Sequence, residues 1–309
     1  MSDACEKASV IESVCIPIFL FDFVLTVLIH AGTDQSSAEQ LLSELFDAAG
    51  QLEKANAELQ LRLAHLLTTV IVEQPLLRIY ANRFLEKAVA VCNDDARCSA
   101  LKARLLLIEG EPRHALQMAM KAVEQGASGP DAMFSVVHCH LELGNVKEAK
   151  NQFQFLVSTE ADISKHSHFH FLNALLAKAS GEVDNFMRHI QRCVDIHTAY
   201  FCKQFYAIEH LERLDVEFLT TVALSIFEAL NEDGAISSTS DAYTELERIL
   251  LVVHEHCPGL AKPAFLLAKI KFLKGELAQS EHLLRECINK NSQSAEAYLL
   301  LAQVCFCCI

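Results

Sequence analysis

A repeating spacing of glycine and small residues restricts the fold of this sequence more than any other feature. Gly110 and Gly144 are 34 residues apart, and an alanine follows each glycine after five residues, at Ala115 and Ala149. Ala103 lies seven residues before Gly110, where a small side chain allows two helices to approach closely. Glycine at such a place ends a helix, because it adopts the left-handed backbone conformation at low cost. The pattern predicts a repeated pair of antiparallel helices.

A period of 34 residues with these small residues is typical of the tetratricopeptide (TPR) repeat, a helix–turn–helix unit. One such unit cannot bury its apolar faces alone, so successive units stack. We predict an all-α chain that forms a TPR-type α-solenoid, a right-handed superhelix of antiparallel helix pairs. The residues assigned to the repeat signature are Ala103, Gly110, Ala115, Ala122, Gly144, Ala149, Ala174, Gly181, Ala268, Gly275 and Ala302.

The pattern divides the chain into five parts. These are an apolar N-terminal segment (1–34), degenerate helical repeats (35–95), three TPR-like repeats (96–197), an irregular helical linker (198–257), and one TPR followed by half a repeat (258–309). Gly144 and Gly181 are 37 residues apart, which predicts a short insertion within residues 158–167. A solenoid that stops on half a unit lacks a polar cap, so the sequence is interpreted as a fragment or a truncated gene model.

Apolar periodicity predicts the helices outside the clear repeats. The predicted ranges are 36–50, 52–72, 76–92, 215–230 and 242–256, with a polar loop over 231–240. Residues 14–29 are strongly apolar, yet Pro17 and Asp22 interrupt them and they are too short to span a bilayer. A buried helix is favoured there over a membrane or signal segment.

Charge and cysteine usage exclude several functional classes. The net charge of −14 disfavours nucleic acid and anionic membrane surfaces as partners; it serves solubility or favours a basic partner. The 12 cysteines do not form two CxxC motifs of the kind that bind zinc, and residues such as Cys193, Cys202 and Cys287 lie in apolar helical stretches. We therefore expect reduced, packed thiols in a cytosolic compartment.

Candidate chemical sites are weak. The histidine groups at His138 and His140, at 166–170 and at 254–256 have HxH spacing, which directs the two rings to different sides of a helix. We find no nucleophile, phosphate-binding or metalloprotease motif. The prediction is therefore no enzyme, no metal and no cofactor, while a metal- or thiol-dependent enzyme remains the alternative from another class.

Two stretches resemble the tetratricopeptide repeat protein 21 family. Residues 257–304 contain the runs CPGL, FLLAKIKFLKGE and LLLAQV, and residues 206–219 (YAIEHLERLDVEFL) are similar to the irregular linker before that repeat. The resemblance is strongest over residues 199–304. Asn291 and Ser292 stand where the family tends to have Asn-Pro.

The resemblance implies a non-enzymatic role, since this family supplies the large TPR subunit of intraflagellar transport complex A. The implied partners are other complex A subunits and ciliary cargo proteins, in a hetero-oligomer that serves retrograde transport, cilium assembly and ciliary protein entry. The implied location is the cytoplasm and the cilium, including axoneme and basal body region. The alternative is a generic TPR adaptor of a chaperone or ubiquitin-ligase assembly. The positions of a chaperone-binding clamp hold Arg104, His138 and Leu175, which do not match its basic and Asn pattern.

Overall fold

The computed structural model describes residues 35–52, 56–72, 74–199, 208–233, 239–292 and 294–307. All regular secondary structure in these ranges is helical, which confirms the predicted all-α class. The apolar segment 14–29 and Cys202 lie outside them. Over the described ranges, no helix combines the length and the apolar character needed to cross a membrane.

The degenerate part of the chain forms three helices: α1 (Gln35–Leu52), α2 (Ala57–Thr68) and α3 (Pro75–Val91). The single helix predicted over 52–72 is wrong in its bounds. The side chain of Asn56 accepts a hydrogen bond from the Leu59 N–H (3.0 Å) and so caps the start of α2. Val72 adopts φ 33°, a left-handed conformation that a β-branched residue cannot hold within a helix.

Six helices form the three central repeats. They are α4 (Ala96–Ile108), α5 (Pro112–Glu124), α6 (Asp131–Glu142), α7 (Val146–Thr159), α8 (Ser167–Ala179) and α9 (Val183–Thr198). The first helix of each pair is called helix A and the second helix B. Each A packs against its own B, and α5 also packs against α6 of the next repeat. This nearest-neighbour packing is the arrangement expected of a solenoid.

The turn between helices A and B has the same hydrogen bonds in each central repeat. Gly144 has φ 73°, its N–H donates to the carbonyl of Leu141 (2.9 Å), and the N–H of Asn145 donates to the carbonyl of His140 (2.8 Å). This is the Schellman motif, which satisfies the last carbonyls of helix A. Equivalent bonds surround Gly110, Gly181 and Gly275.

The extra residues between the second and third repeats form a short 3-10 helix, Ile163–Lys165. Ile163 is buried there against a core cluster that joins the two repeats. The apolar members of this cluster are Phe134, Val137, Ala149, Phe153, Leu156, Leu172 and Leu176. The connection is thus held in place by its own apolar side chain.

The remaining helices are α10 (Ile208–Leu214), α11 (Val216–Asp233), α12 (Thr239–His256), α13 (Ala261–Leu273), α14 (Leu277–Lys290) and α15 (Ala295–Cys307). Asp215 separates α10 from α11, with φ 39°, and its side chain accepts a hydrogen bond from the Phe218 N–H (3.2 Å). The stretch 206–219 therefore contains a short helix where it is described.

The described residues form two compact units. One contains α2–α10, apart from residues 71–74 between α2 and α3. The other contains α1 as far as Gly50, residues 71, 72 and 74, and α11–α15. In this second unit Lys271 is largely buried and donates from Nζ to Glu276 Oε2 (2.7 Å) and to Glu247, which also accepts from Lys274. This ionic cluster joins α12 to the α13–α14 pair.

The left-handed conformation of Gly144 predicts how much different substitutions at this residue lower the free energy of unfolding. A Cβ placed at Gly144 meets no atom within 4 Å, so a substitution acts through the backbone alone. Gly144→Val should lower the free energy of unfolding by roughly 1–2 kcal/mol, because β-branched residues disfavour positive φ. Gly144→Asn should cost clearly less, since Asn tolerates this conformation. Chemical denaturation of both variants measures the difference, and equal losses would contradict the assignment.

Candidate protein-interaction surface

The A helices of the central repeats lie side by side. Helix α4 contacts α6, and α6 contacts α8, so one side of the three helices forms a continuous surface. We call this surface the A-helix face. Its residues recur three or four positions apart on each helix and are exposed or half-buried: Arg104 and Leu107 on α4, His138, Leu141 and Glu142 on α6, and Leu175 and Lys178 on α8.

Aromatic contacts join α6 to α8 beneath this face. The His138 ring meets the edge of Phe171, with centroids 5.9 Å apart and an interplanar angle of 90°. The Phe134 ring stacks with His168 at 5.9 Å and 17°. Both phenylalanines are buried, whereas both histidines are half-buried. Each pair thus places an imidazole at the surface on an apolar support.

The A-helix face carries charges of both signs. His138 Nε2 lies 3.5 Å from Glu142 Oε1. The hydrogen bond from His138 lowers the pKa of the Glu142 carboxyl, burial opposes this effect, and the charges of His138 and Lys178 add to it. The face thus offers two permanent cations, Arg104 and Lys178, and the carboxylate of Glu142, which stays ionised at neutral pH. A surface with charges of both signs suits the binding of protein partners, because complementary charges make the binding specific.

Most signature residues occupy the crossings between helices. Ala103, Ala115, Ala122, Ala149, Ala174 and Ala268 are completely buried. Ala103 packs with Ala119 and Val136, and Ala115 packs with Leu106 and Cys139. Gly110, Gly144, Gly181 and Gly275 have φ between 73° and 80°. These positions shape the scaffold and do not themselves form the A-helix face.

Ala302 differs from the other alanines of the signature. It is exposed on α15, whereas Ala297, Leu300 and Val304 form the buried side of this helix. Its equivalent 34 residues earlier, Ala268, is covered by α14, and the Ser280 hydroxyl donates to the Ala268 carbonyl (2.8 Å). No helix among the described residues covers α15 in this way. Ala302 thus has the spacing of the signature without a covering helix among these residues, and its assignment to a helix contact stays a prediction.

Several contacts escaped the sequence pattern. The positions equivalent to Phe134 in the neighbouring repeats hold Ala100 and Phe171, so the period alone gives no sign of the ring pairs. The Ser167 hydroxyl lies 3.1 Å from His197 Nδ1, and His197 Nε2 lies 2.9 Å from the Leu214 carbonyl. Because that carbonyl only accepts, Nδ1 is the acceptor for Ser167 in the neutral ring. These bonds tie together α8, α9 and α10.

The described residues offer little for metal or thiol chemistry. They contain no group of three or more His, Cys, Asp or Glu side chains arranged to hold a metal ion. Burial raises the pKa of the Cys139 and Cys257 thiols to about 12, and it also raises the pKa of Cys287. A protonated thiol is a poor nucleophile and metal ligand.

Comparison with known families identifies this arrangement. Residues 40–307 match the family described as the tetratricopeptide repeat protein 21 second ARM domain. The chain belongs to the tetratricopeptide repeat protein 21 family. The match begins far upstream of the stretch 199–304 where the resemblance was strongest, and it includes the degenerate helices α2 and α3. The resemblance drawn from the sequence is confirmed.

Relatives of the tetratricopeptide repeat protein 21 family are distant in sequence but match most of this chain. Tetratricopeptide repeat protein 21B of Mus musculus is 24% identical over 274 residues, which cover 88% of this chain and 21% of the relative. The Caenorhabditis elegans homologue is 21% identical over 277 residues, which cover 89% of this chain and 21% of the homologue. The chain spans about a fifth of the length of these curated relatives.

Solved structures share the fold of this tetratricopeptide repeat protein 21 chain. The APC/C hetero-tetramer Cut9–Hcn1 has a chain that matches with a TM-score of 0.53 at 12% identity, over 91% of this chain and 48% of the other. Yeast Tom70 matches with a TM-score of 0.50 at 10% identity, over 88% of this chain and 61% of the Tom70 chain. At such identities the likeness concerns the fold alone. It confirms the TPR-type solenoid.

The buried and exposed alanines form a matched pair for a stability test. Ala149→Leu should lower the free energy of unfolding by about 1–3 kcal/mol, because extra methylenes do not fit a closed helix crossing. Ala302→Leu adds the same atoms on an exposed side and should change it by about 0.5 kcal/mol or less. Denaturant titrations compare the two variants. Equal effects would show that residue 149 is not at a tight crossing.

Glu142 should make stability depend on pH in the acid range. Because its pKa is lowered on folding, its contribution is complete above about pH 4.5 and is lost as the pH falls through the folded value. Glu142→Gln cannot titrate, so its melting temperature should fall about 1–2 °C less between pH 5.5 and 3.5, since exposure screens the pair. Glu124→Gln, on the exposed end of α5, is the control and should behave as the wild type.

Proposed function

We propose that this chain is part of a non-enzymatic scaffold subunit of intraflagellar transport complex A. It would act in retrograde ciliary transport, cilium assembly and the entry of proteins into the cilium. The match to the tetratricopeptide repeat protein 21 family over residues 40–307 carries the proposal. This family implies a large TPR subunit of that complex, and the chain corresponds in length to about a fifth of its relatives.

The proposed mechanism is contact through several repeats at once. Each central repeat presents a helix A on the same surface, so a partner that touches one repeat is held close to the next. Linked contacts of this kind raise affinity through effective concentration without any strong single contact. The proposed partners are other complex A subunits and ciliary cargo proteins, and the proposed state is a hetero-oligomer.

The proposed location is the cytoplasm and the cilium, including the axoneme and the basal body region.

The raised thiol pKa values and the buried small residues support a structural role for residues that composition alone would leave open to chemistry. The net charge of −14 supports protein partners over nucleic acid.

Affinity purification from ciliated cells tests the assignment. A tagged form of the endogenous protein should recover complex A subunits and give signal along the axoneme and at the ciliary base. Recovery dominated by chaperones or by a ubiquitin ligase would instead favour the generic TPR adaptor. A solely diffuse or nuclear signal without complex A subunits would contradict the proposal.

A charge reversal on the A-helix face tests the proposed contact surface. Arg104→Glu with Lys178→Glu should reduce recovery of at least one partner about tenfold, because both cations lie on this face. Arg113→Glu with Lys121→Glu makes the same charge change on the exposed side of α5 and should leave recovery unchanged. Thermal melts of both variants establish that they fold. Equal recovery by both variants would place the partners on another surface.

A further inference from the structure

Two histidines from the paired helices of the third repeat lie ring against ring. His170 is on α8 and His189 is on α9, and their ring centroids are 6.1 Å apart with an interplanar angle of 28°. Both side chains are half-buried. The Phe169 and His170 rings pack in a T-shaped arrangement, with centroids 5.1 Å apart. The pair thus lies within the contact that closes this repeat.

The hydrogen bonds of His170 fix its neutral form. Its Nε2 lies 2.9 Å from the carbonyl of Ser164, which can only accept, so Nε2 carries the proton. Its Nδ1 is buried and has no hydrogen-bond partner among the described residues. A second proton on this ring would therefore form an N–H group without an acceptor, which is unfavourable in a buried place.

Neighbouring charges do not favour a cation on His189. The charges that act on His189 are those of His170 and Arg188, and both oppose its protonation. Several titratable groups on the elements packed against α8 and α9 have partners of their own. Asp162 pairs with Lys165 (2.9 Å), Lys150 bonds Ser180 (3.0 Å), Glu142 pairs with His138 (3.5 Å), Glu212 pairs with Arg62 (3.3 Å), and the His166 and His168 rings pack on Phe134.

We propose that His170 and His189 form a proton-sensitive latch that holds the third repeat closed while both rings are neutral. When one ring takes up a proton from solvent, a cation lies against the other ring. On His170 this proton also forms an N–H group at the buried Nδ1. The bond from Nε2 to Ser164 also anchors the 3-10 helix Ile163–Lys165, whose Ile163 belongs to the core between the second and third repeats. Opening of the latch therefore loosens this junction beside the Phe134–His168 pair, which lies beneath the A-helix face. This regulation goes beyond the scaffold role proposed above.

The direction of the pH dependence follows from the closed state. Burial, followed by the charges of His170 and Arg188, lowers the pKa of His189 from its ordinary 6.5. A histidine that is harder to protonate when folded contributes stability that is complete above about pH 6.5. This contribution is lost as the pH falls from 6.5 through the folded pKa.

Hydrogen exchange measured by mass spectrometry at pH 7.5 and 5.5 tests the latch. After correction for intrinsic exchange rates, the opening equilibrium of peptides covering residues 160–190 should rise by up to about tenfold, because His189 takes up a proton less readily in the closed state. His170→Gln with His189→Gln should abolish this rise, because the glutamine amide keeps a donor for Ser164 and does not titrate. His114→Gln is the matched control, since His114 is exposed on α5 beside Glu111 (2.8 Å), and it should retain the full rise.

Titration of the wild-type histidine resonances by NMR gives a reading that does not depend on the variants. The His189 ring should titrate below its ordinary value of about 6.5. If both rings titrate at about 6.5, or if the double variant loses protection at pH 5.5 as the wild type does, the proposal is overturned.

Discussion

Close approach of helices at alanine is the constraint on which the rest of this structure depends. At the first central repeat, Ala103 is completely buried and packs with Ala119 and Val136, where a small side chain allows two helices to approach closely. The glycine that ends helix A returns the chain at once, so that helix B lies along the same surface. Stacking, the order of the A helices and the surface that they share all follow from this crossing.

The resulting surface combines a rigid support with adaptable groups. Buried Phe134 and Phe171 hold the imidazoles of His168 and His138 in place, while the longer side chains of Arg104 and Lys178 lie on the same side of the array. A scaffold benefits from this combination, because ordered supports reduce the entropy lost on binding and flexible cations adjust to different partners. The proton-sensitive pair lies at the edge of the same repeat, where the inserted 3-10 helix meets the core.

The sequence predicts those features that depend on neighbours along the chain. Gly110, Gly144, Gly181 and Gly275 were expected to end helices, and each lies in a left-handed turn, since this requirement is local. The start of α2 was missed, because the long apolar run masks the cap formed by Asn56. The His138–Phe171 contact was also missed, as it arises between helices with no sign in the repeat spacing. Ala302 satisfies the spacing, but none of the described helices covers it as α14 covers Ala268.

The uneven exposure of the thiols has a practical consequence. Cys98, Cys139, Cys193, Cys257 and Cys287 are buried, whereas Cys92, Cys305 and Cys307 are exposed. Maleimide dyes and other alkylating reagents act on accessible thiolates. Among these eight cysteines they should therefore react with Cys92, Cys305 and Cys307. Spectroscopic probes can accordingly be placed after α3 and near the end of α15 without introducing a new cysteine.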